Sequence, residues 1–223
     1  MKKIIYIISL VLLVACSARS NEDKARELIE PKLKAILNNP KSYEFISIRL
    51  DSCYSNSQMN PEMFVFATEI SKLWKDYKEF STEAETAESF MTIYAPSNGY
   101  QDAHTKQQYK KYKTDLDKSN KKKDATKAKI LQLYKDNKQL LIDIFQNNNT
   151  KGDFIGWVSN IRFRCENNAG MKRTLESFYF FDKSLETITH IFHQDDLEIL
   201  QQKDLEDIQY EFEKELKDMF QLE

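Results

Sequence analysis

The chain has 223 residues, with 33 lysines and arginines against 35 aspartates and glutamates, and a formal net charge of −2. Hydrophobic residues make up 41% and aromatic residues 12%, enough for a buried core, which excludes an intrinsically disordered chain. Four glycines, four prolines and three cysteines exclude collagen-like, glycine-rich and disulfide-scaffold architectures. The near-neutral charge gives the whole protein no attraction to nucleic acid.

The first 16 residues have the pattern of a bacterial export signal. Lys2 and Lys3 precede an apolar run from Ile4 to Ala15, as the n-region and h-region of a secretory signal do. The run is too short for a membrane span, which needs about 20 residues. Two alternatives to a lipoprotein signal are an ordinary signal peptide and an uncleaved apolar helix, and in both Cys16 is incidental.

Residues Leu13-Val14-Ala15-Cys16 resemble the lipobox of bacterial lipoproteins. The resemblance implies that a signal peptide, residues 1–15, is removed between Ala15 and Cys16, and that the Cys16 thiol carries a diacylglycerol anchor. It also implies a cell-envelope location, with the outer membrane favoured because Ser17, not an aspartate, follows the cysteine. Residues 16–20 are then a tether, and residues 21–223 form a single domain.

The segment from Ala25 to Leu37 has apolar residues three or four positions apart, which predicts an N-terminal helix. Pro31 is expected to bend this helix or split it in two, because proline removes a helical hydrogen bond. Residues Tyr43 to Tyr54 alternate apolar and polar side chains, which predicts a strand.

Two long stripes of apolar residues follow, with the spacing of a coiled coil. The first runs from Phe66 to Met91, within a helix expected at Pro61–Ile93, and the second runs from Tyr109 to Ile144, on the other side of a helix breaker at 95–99. They predict an antiparallel helical hairpin inserted at 61–147. The second stripe is polar from Ser119 to Lys123, which predicts fraying or a bend there.

The sequence after the hairpin is rich in strand-forming residues. Phe154 to Cys165 and Thr174 to Phe181 flank the turn sequence Asn167-Asn168-Ala169-Gly170, and Thr187 to Phe192 is a further strand. The tail from Asp195 has apolar residues along one helical face. The elements predict an α+β fold: a small antiparallel β-sheet packed by N- and C-terminal helices, with a long antiparallel helical hairpin, a coiled coil, inserted.

Several segments resemble a group of Bacteroidetes envelope lipoproteins that have a coiled-coil insertion. These segments are Asn39 to Glu44, Asp51 to Tyr54, Phe154 to Trp157 and Phe180 to Lys183. The resemblance implies a short helix, a strand, a long coiled-coil insertion and an antiparallel β segment. It implies an envelope protein of unknown function and supplies no catalytic residues.

Cys53 and Cys165 can pair in an oxidising envelope or remain separate thiols. Cys53 lies on the strand face opposite Ile48, whereas Cys165 shares its face with Ile161 and Phe163, the expected core face. This parity favours two free thiols, although a β-bulge would restore the pairing.

His190, His193, Asp195 and Asp196 form a local cluster of residue types that bind metals. In a strand the two histidines point to opposite faces, which disfavours a shared ion, and the two aspartates are also typical helix caps. We therefore expect no metal and no cofactor. The sequence has no nucleophile elbow, phosphate loop or Cys/His pair, so we expect no catalytic residues and no enzyme.

Ten lysines lie between Lys106 and Lys129, with Tyr109 and Tyr112 among them. Basic surfaces with aromatic residues are typical of nucleic-acid binding, but an exported lipoprotein rarely meets that ligand. A solvated face of the coiled coil is the favoured interpretation, and contact with anionic lipid or glycan is the alternative.

Residues Phe178 to Phe181 are four consecutive aromatics, so they cover both faces of a strand. They predict either a central strand packed on both faces or a ligand or partner groove that includes Trp157, Phe178 and Phe180.

These features predict a lipid-anchored cell-envelope protein that is a non-enzymatic protein-interaction or scaffold module. The expected partners are the membrane, through Cys16, and another envelope protein, and we expect no nucleic acid. The hairpin, with Tyr109 and Tyr112, is the expected contact element because another helix readily extends a coiled-coil seam. The alternative is a small-molecule or glycan-binding lipoprotein that uses the aromatic face of the sheet.

Overall fold

A computed structural model describes residues 20–96, 102–145, 152–193 and 202–220 and confirms the predicted α+β class. Its elements, in chain order, are α1 (Asn21–Ile36), a 3₁₀ turn (Pro40–Ser42), β1 (Glu44–Tyr54), α2 (Pro61–Ile93), α3 (Ala103–Asp136), α4 (Lys138–Phe145), β2 (Phe154–Glu166), β3 (Lys172–Phe181), β4 (Ile188–His193), α5 (Gln202–Glu211) and α6 (Glu213–Phe220). The described residues divide into a sheet unit, 20–61 with 152–193, and a helical unit, 62–96 with 102–145 and 202–220.

The sheet unit is built on four antiparallel strands in the order β1-β2-β3-β4. A tight turn joins β2 to β3, where Gly170 N donates to Asn167 O at 2.9 Å and Gly170 has a left-handed φ of 74°. Glycine adopts that conformation without strain, so the predicted turn is confirmed. β3 has a neighbouring strand on each side, so the predicted central position of residues 178–181 in the sheet is confirmed, while the predicted packing on both faces stays a prediction.

Helix α1 packs on this sheet. Ser20 and Asp23 form a capping box at its N-terminus, with Asp23 N donating to Ser20 Oγ at 3.1 Å. The helix runs through Pro31 without a break, so the predicted split is wrong. Burial of three apolar side chains on its packed face outweighs the roughly 3 kcal/mol that an internal proline costs. These side chains are Ala25, Ile29 and Leu33, which share a core with Ile161, Phe163, Tyr179 and Phe181.

Helices α2 and α3 form the predicted antiparallel hairpin. Near the start of α2, the Phe66 ring lies 5.3 Å from the ring of Tyr134, which is near the end of α3. The predicted fraying near Ser119 is wrong, because α3 is one helix from Ala103 to Asp136. Ser119 is buried and donates its hydroxyl to Glu83 at 3.1 Å, so its polar group is satisfied between the two helices.

The C-terminal helices α5 and α6 do not pack where the sequence predicted. We expected the tail to pack on the sheet, but its buried residues Ile208, Phe212 and Leu216 lie in the core of the helical unit. The physical reason is the aromatic surface on α2, where Phe212 packs edge-on against the rings of Trp74 and Tyr77.

Candidate functional site

Residues 1–19 lie outside the described residues, and Ala15 and Cys16 lie there with them. The signal peptide, its cleavage site and the lipid attachment at Cys16 therefore stay predictions. Within the part of the chain that the structure describes, no helix is both long enough and apolar enough to cross a membrane.

Cys53 and Cys165 are both free and buried, as the parity of the strands predicts. Cys53 lies opposite Gly156 in the β1–β2 ladder, an odd number of residues from Cys165 on β2, so the two thiols point to opposite faces. Burial raises the pKa of the Cys53 thiol to about 11 and also raises the pKa of Cys165. Both cysteines are protonated at neutral pH and are therefore poor nucleophiles.

His190 and His193 lie on opposite faces of β4, as predicted. His190 is paired with Phe180 in the ladder, whereas His193 is paired with Ser177, whose hydroxyl lies 3.0 Å from His193 Nδ1. Asp195 and Asp196 fall outside the described residues. Among the described residues, no group of three or more histidine, cysteine, aspartate or glutamate side chains is arranged to hold a metal ion.

The aromatic residues that we singled out on the sheet are engaged in packing. Phe180 is 1% exposed, and its ring meets the ring of Phe192 edge-on at 5.8 Å. Phe178 is half-buried and also lies opposite Phe192 in the ladder. The indole nitrogen of Trp157 donates to Lys183 O at 3.1 Å. Phe180 therefore has no free ring face to offer a ligand, and Trp157 has already used its polar group.

The half of the hairpin formed by the start of α2 and the end of α3 has a closed core, to which α4, α5 and α6 also contribute. Trp74 stacks on Tyr77 at 5.3 Å, and Phe212, at the junction of α5 and α6, meets both rings edge-on. The Tyr77 hydroxyl donates to Glu211 at 2.7 Å. Burial and this carboxylate both raise the pKa of Tyr77, so the phenol stays neutral and holds α5 in place.

The other half of the hairpin has only small residues in its seam. Ala84 and Ala87 of α2 and Ser119 and Thr126 of α3 are all less than 7% exposed. Small side chains bury little apolar area and leave space beside the seam. Grooves on the two opposite faces of the hairpin follow from this.

The first groove has a volume of 740 Å³ and an apolar floor between charged walls. Ala87, Phe90 and Tyr112 lie on its floor, and Thr86 is exposed beside them. The second groove, of 510 Å³, lies on the opposite face and includes Glu85, Glu88 and Lys123, and also Glu211 of α5. Because α5 lies on the face of the second groove, the first groove is the face that the described C-terminal helices leave open.

An aromatic stack, the tip cluster, stands at the far end of the first groove. The Tyr112 ring stacks on Phe90 at 4.9 Å and on Tyr94 at 5.7 Å. Phe90 is nevertheless 40% exposed, and Ile93, on the next turn of α2, is 70% exposed. Tyr109 is half-buried and, among the described rings, does not join the stack. The structure thus places one of the two predicted hairpin tyrosines, Tyr112, in the site.

The two helices that form the first groove carry opposite charges. From residue 79 to residue 93, α2 has four glutamates and no lysine or arginine, whereas residues 103–123 of α3 have eight lysines and two aspartates. On the groove walls, Glu79 and Glu83 face Lys118 and Lys122, with Asp115 as an acidic exception on α3. Some of the lysines also cover aromatic rings, such as Lys122 over Phe80 at 4.7 Å, in agreement with the interpretation of a solvated coiled-coil face.

No protein-family model, curated protein or solved structure matches this chain.

Phe90, Ile93 and Tyr94 are site residues that the sequence pattern did not indicate. The heptad-like stripe passes through Ala87 and Met91, so Phe90 lay one position off the predicted seam. The available signal was the local enrichment of apolar residues from Phe90 to Tyr94, immediately before the helix breaker. Exposed apolar residues at the end of a coiled coil are unusual unless something covers them.

Proposed function

We propose that this protein is a lipid-anchored cell-envelope protein that contacts another protein through the first groove and the tip cluster of its helical hairpin. It acts as a non-enzymatic interaction or scaffold module. The sequence from Lys2 to Cys16 supports the anchor. The open apolar floor of the first groove carries the proposal of a contact surface.

Three properties of the first groove favour a protein partner. Its floor includes the half-exposed Phe90, and the mostly exposed Ile93 follows on the next turn of α2. Aromatic anchors such as Phe90 dominate protein interfaces. Its length along α2, from Glu79 to Phe90, corresponds to about three helical turns. Walls of opposite charge lie on either side of the floor, which sets the orientation of an incoming helix.

The charge distribution disfavours nucleic acid as the ligand of this surface. Binding to phosphate needs a continuous basic surface. Here the lysines of α3 lie beside the acidic wall formed by Glu79 and Glu83, which would repel a phosphate backbone placed in the groove.

Site-specific photo-crosslinking in native membranes tests the contact surface. A photo-reactive residue at Thr86, in the first groove, is expected to give a defined crosslinked product. The same residue at Glu88, in the second groove, is the matched control because it lies on the same helix, about half a turn away. Equal yields from the two positions, or no product from Thr86, would contradict the proposed surface.

Point variants serve this test better than deletion of the hairpin. Removing residues 61–147 would expose Ile208, Phe212 and Leu216, which lie in the core with α2 and α3. Lost binding could then reflect aggregation through those side chains.

The lipid anchor has its own test. Cells supplied with a fatty-acid analogue should label the wild-type protein, and a Cys16→Ala variant should remain unlabelled and leave the membrane fraction. A Cys16→Ala protein that still carries the label would refute the anchor and leave the proposal about the groove untouched.

A further inference from the structure

We infer that the occupant of the first groove is a second copy of the same chain, so that two hairpins form a four-helix bundle. This inference rests on the proposed function, because it names the partner of the same surface. It is carried by the charges on the groove walls, by their heights along the hairpin and by the position of the tip cluster.

The walls of the first groove are complementary to each other. Glu79 and Glu83 form the α2 wall, and Lys118 and Lys122 lie on the α3 wall. A surface with one acidic half and one basic half is complementary to its own copy when the halves are exchanged. A two-fold axis makes that exchange. The acidic half of each copy then meets the basic half of the other copy, so the same contact forms twice.

The direction of the axis follows from the charges. If the two-fold axis runs parallel to the helices, α2 of one copy lies against α3 of the other, and acidic walls meet basic walls. If the axis runs across the helices instead, α2 lies against α2, which sets glutamates against glutamates. Like charges in contact cost several kcal/mol, so the parallel axis is selected.

The heights of the charged residues, meaning their positions along the helix axes, agree with this two-fold axis. Glu83 is level with Lys122 of its own chain, since their charged atoms lie 3.7 Å apart. Rotation about an axis parallel to the helices keeps each residue at its height, so Glu83 is also level with Lys122 of the second copy. Both side chains are about half exposed. Their own pairing is therefore weak and leaves charge for a second contact.

The same rotation brings the two tip clusters together. Phe90 and Tyr112 stack on each other at one height within each copy, so the axis places both clusters at the same end of the bundle. The half-exposed Phe90 and the mostly exposed Ile93 of each α2 would then pack against the start of α3 in the other copy. Such contact removes the exposed apolar area that the isolated hairpin leaves uncovered.

The dimer is expected to be weak in solution. From Glu79 to Ile93 the surface is about 20 Å long, and two helices side by side are about 20 Å wide. That footprint is smaller than the roughly 800 Å² per partner of a stable interface. An anchor that holds both chains in one membrane raises their effective concentration and favours the dimer there.

Reversal of the wall charges tests the inference in purified full-length protein. One double variant is Glu79→Lys/Glu83→Lys, which makes both walls basic, and the other is Lys118→Glu/Lys122→Glu, which makes both acidic. The quadruple variant combines all four changes and so inverts both walls. Sedimentation velocity in detergent, over a series of protein concentrations, measures dimer formation, and circular dichroism checks that each variant keeps its helices.

The inference predicts a specific pattern. Wild type and the quadruple variant should dimerise, each double variant alone should dimerise at least about tenfold more weakly, and an equimolar mixture of the two double variants should recover wild-type affinity. The matched control Glu85→Lys/Glu88→Lys changes the same charges on the face of the second groove and should leave dimerisation unchanged.

A monomeric wild type at the highest concentration, or a failure of the mixture to recover dimerisation while both variants keep their helices, would overturn the inference. Crosslinking from Thr86 to a different protein in membranes would at the same time leave the proposed contact surface intact, so the two failures are distinguishable. If the Thr86 product instead has twice the mass of the chain, and the charge variants behave as predicted, both proposals are supported.

Discussion

The sheet unit buries its apolar side chains, whereas the far half of the helical hairpin, formed by the end of α2 and the start of α3, leaves large apolar side chains exposed. In the sheet unit, α1 and the strands bury Ile29, Leu33, Ile161, Phe163 and Tyr179 almost completely. In the far half of the hairpin, the seam is built from alanine, serine and threonine, while Phe90 and Ile93 are left at the surface. The contrast shows that the chain has enough apolar residues to close a core, so the open surface at the tip is a local property of the hairpin.

The largest effect is expected from Phe212→Ala. Phe212 is fully buried and its ring contacts both Trp74 and Tyr77. Loss of this ring should lower the free energy of unfolding of the helical unit by about 3–5 kcal/mol. Hydrogen exchange of the α2, α5 and α6 amides measures this change. Phe90→Ala, the matched change at the tip, should cost less than about 1 kcal/mol, and equal losses would contradict the contrast between closed core and open tip.

Ile29→Ala should have a comparable but smaller effect in the sheet unit. Ile29 is fully buried between α1 and the sheet, and its truncation should cost about 2–4 kcal/mol through lost burial and a cavity. The protection of α1 amides against hydrogen exchange is the measurement. Ile36→Ala is the control on the same helix, because Ile36 is 60% exposed and should change stability by less than about 0.5 kcal/mol.

Alkaline pH should reveal the buried thiol of Cys53. Its folded-state pKa is raised to about 11 from an unfolded value near 9, because the thiolate is penalised by burial. The folded state therefore holds its proton more tightly, and this contribution is complete below pH 9 and is lost as the pH rises towards 11. Between pH 8 and pH 10.5, the free energy of unfolding of the wild type should fall by about 2 kcal/mol more than that of Cys53→Ala.

Urea unfolding of both proteins at the two pH values measures this difference. If the wild type and Cys53→Ala lose the same free energy of unfolding between the two pH values, Cys53 stays accessible to water in the folded protein. Reaction with a thiol reagent gives an independent check, since Cys53 and Cys165 should react in denaturant and stay unreactive in the native protein.

Tyr77→Phe should have a modest effect. The change removes the hydroxyl that donates to Glu211 and keeps the ring that stacks on Trp74. The expected loss is about 1–2 kcal/mol, because a hydrogen bond to a carboxylate is stronger than a neutral one. Faster hydrogen exchange should be seen in α5. A change spread evenly over the sheet unit would indicate that the hydroxyl has another role.

Ile93→Ala is expected to have the smallest effect on stability and a separate effect on binding. Ile93 is 70% exposed, so its truncation should change the free energy of unfolding by less than about 0.5 kcal/mol. The same change should reduce crosslinking from Thr86, since it removes apolar area from the open surface. A stable protein with undiminished crosslinking would exclude Ile93 from the contact.

Much of the fold could be predicted because it depends on local patterns. The period of two around Ile48 and the turn sequence ending at Gly170 specify strands and a hairpin without knowledge of their neighbours. The same holds for the heptad-like stripes of α2 and α3. β4 begins one residue later than predicted, at Ile188, which is an ordinary uncertainty in element boundaries.

The remainder could not be predicted, because it depends on which faces meet. An amphipathic stripe through Ile208 and Phe212 shows that a helix has an apolar face but does not identify what the face packs against. Here the apolar face packs against the rings of Trp74 and Tyr77, and that pairing is a three-dimensional property. The first groove is likewise invisible in the sequence, because it arises where Ala87 and Ser119 oppose each other across the hairpin.

Photo-crosslinking from Thr86 in native membranes is the most direct test of the contact surface. We predict a defined product from Thr86, little product from Glu88, and loss of the Thr86 product when Phe90 and Ile93 are both replaced by alanine. A Thr86 product that persists in the Phe90→Ala/Ile93→Ala variant, or equal products from Thr86 and Glu88, would contradict a contact made by the open face of the hairpin.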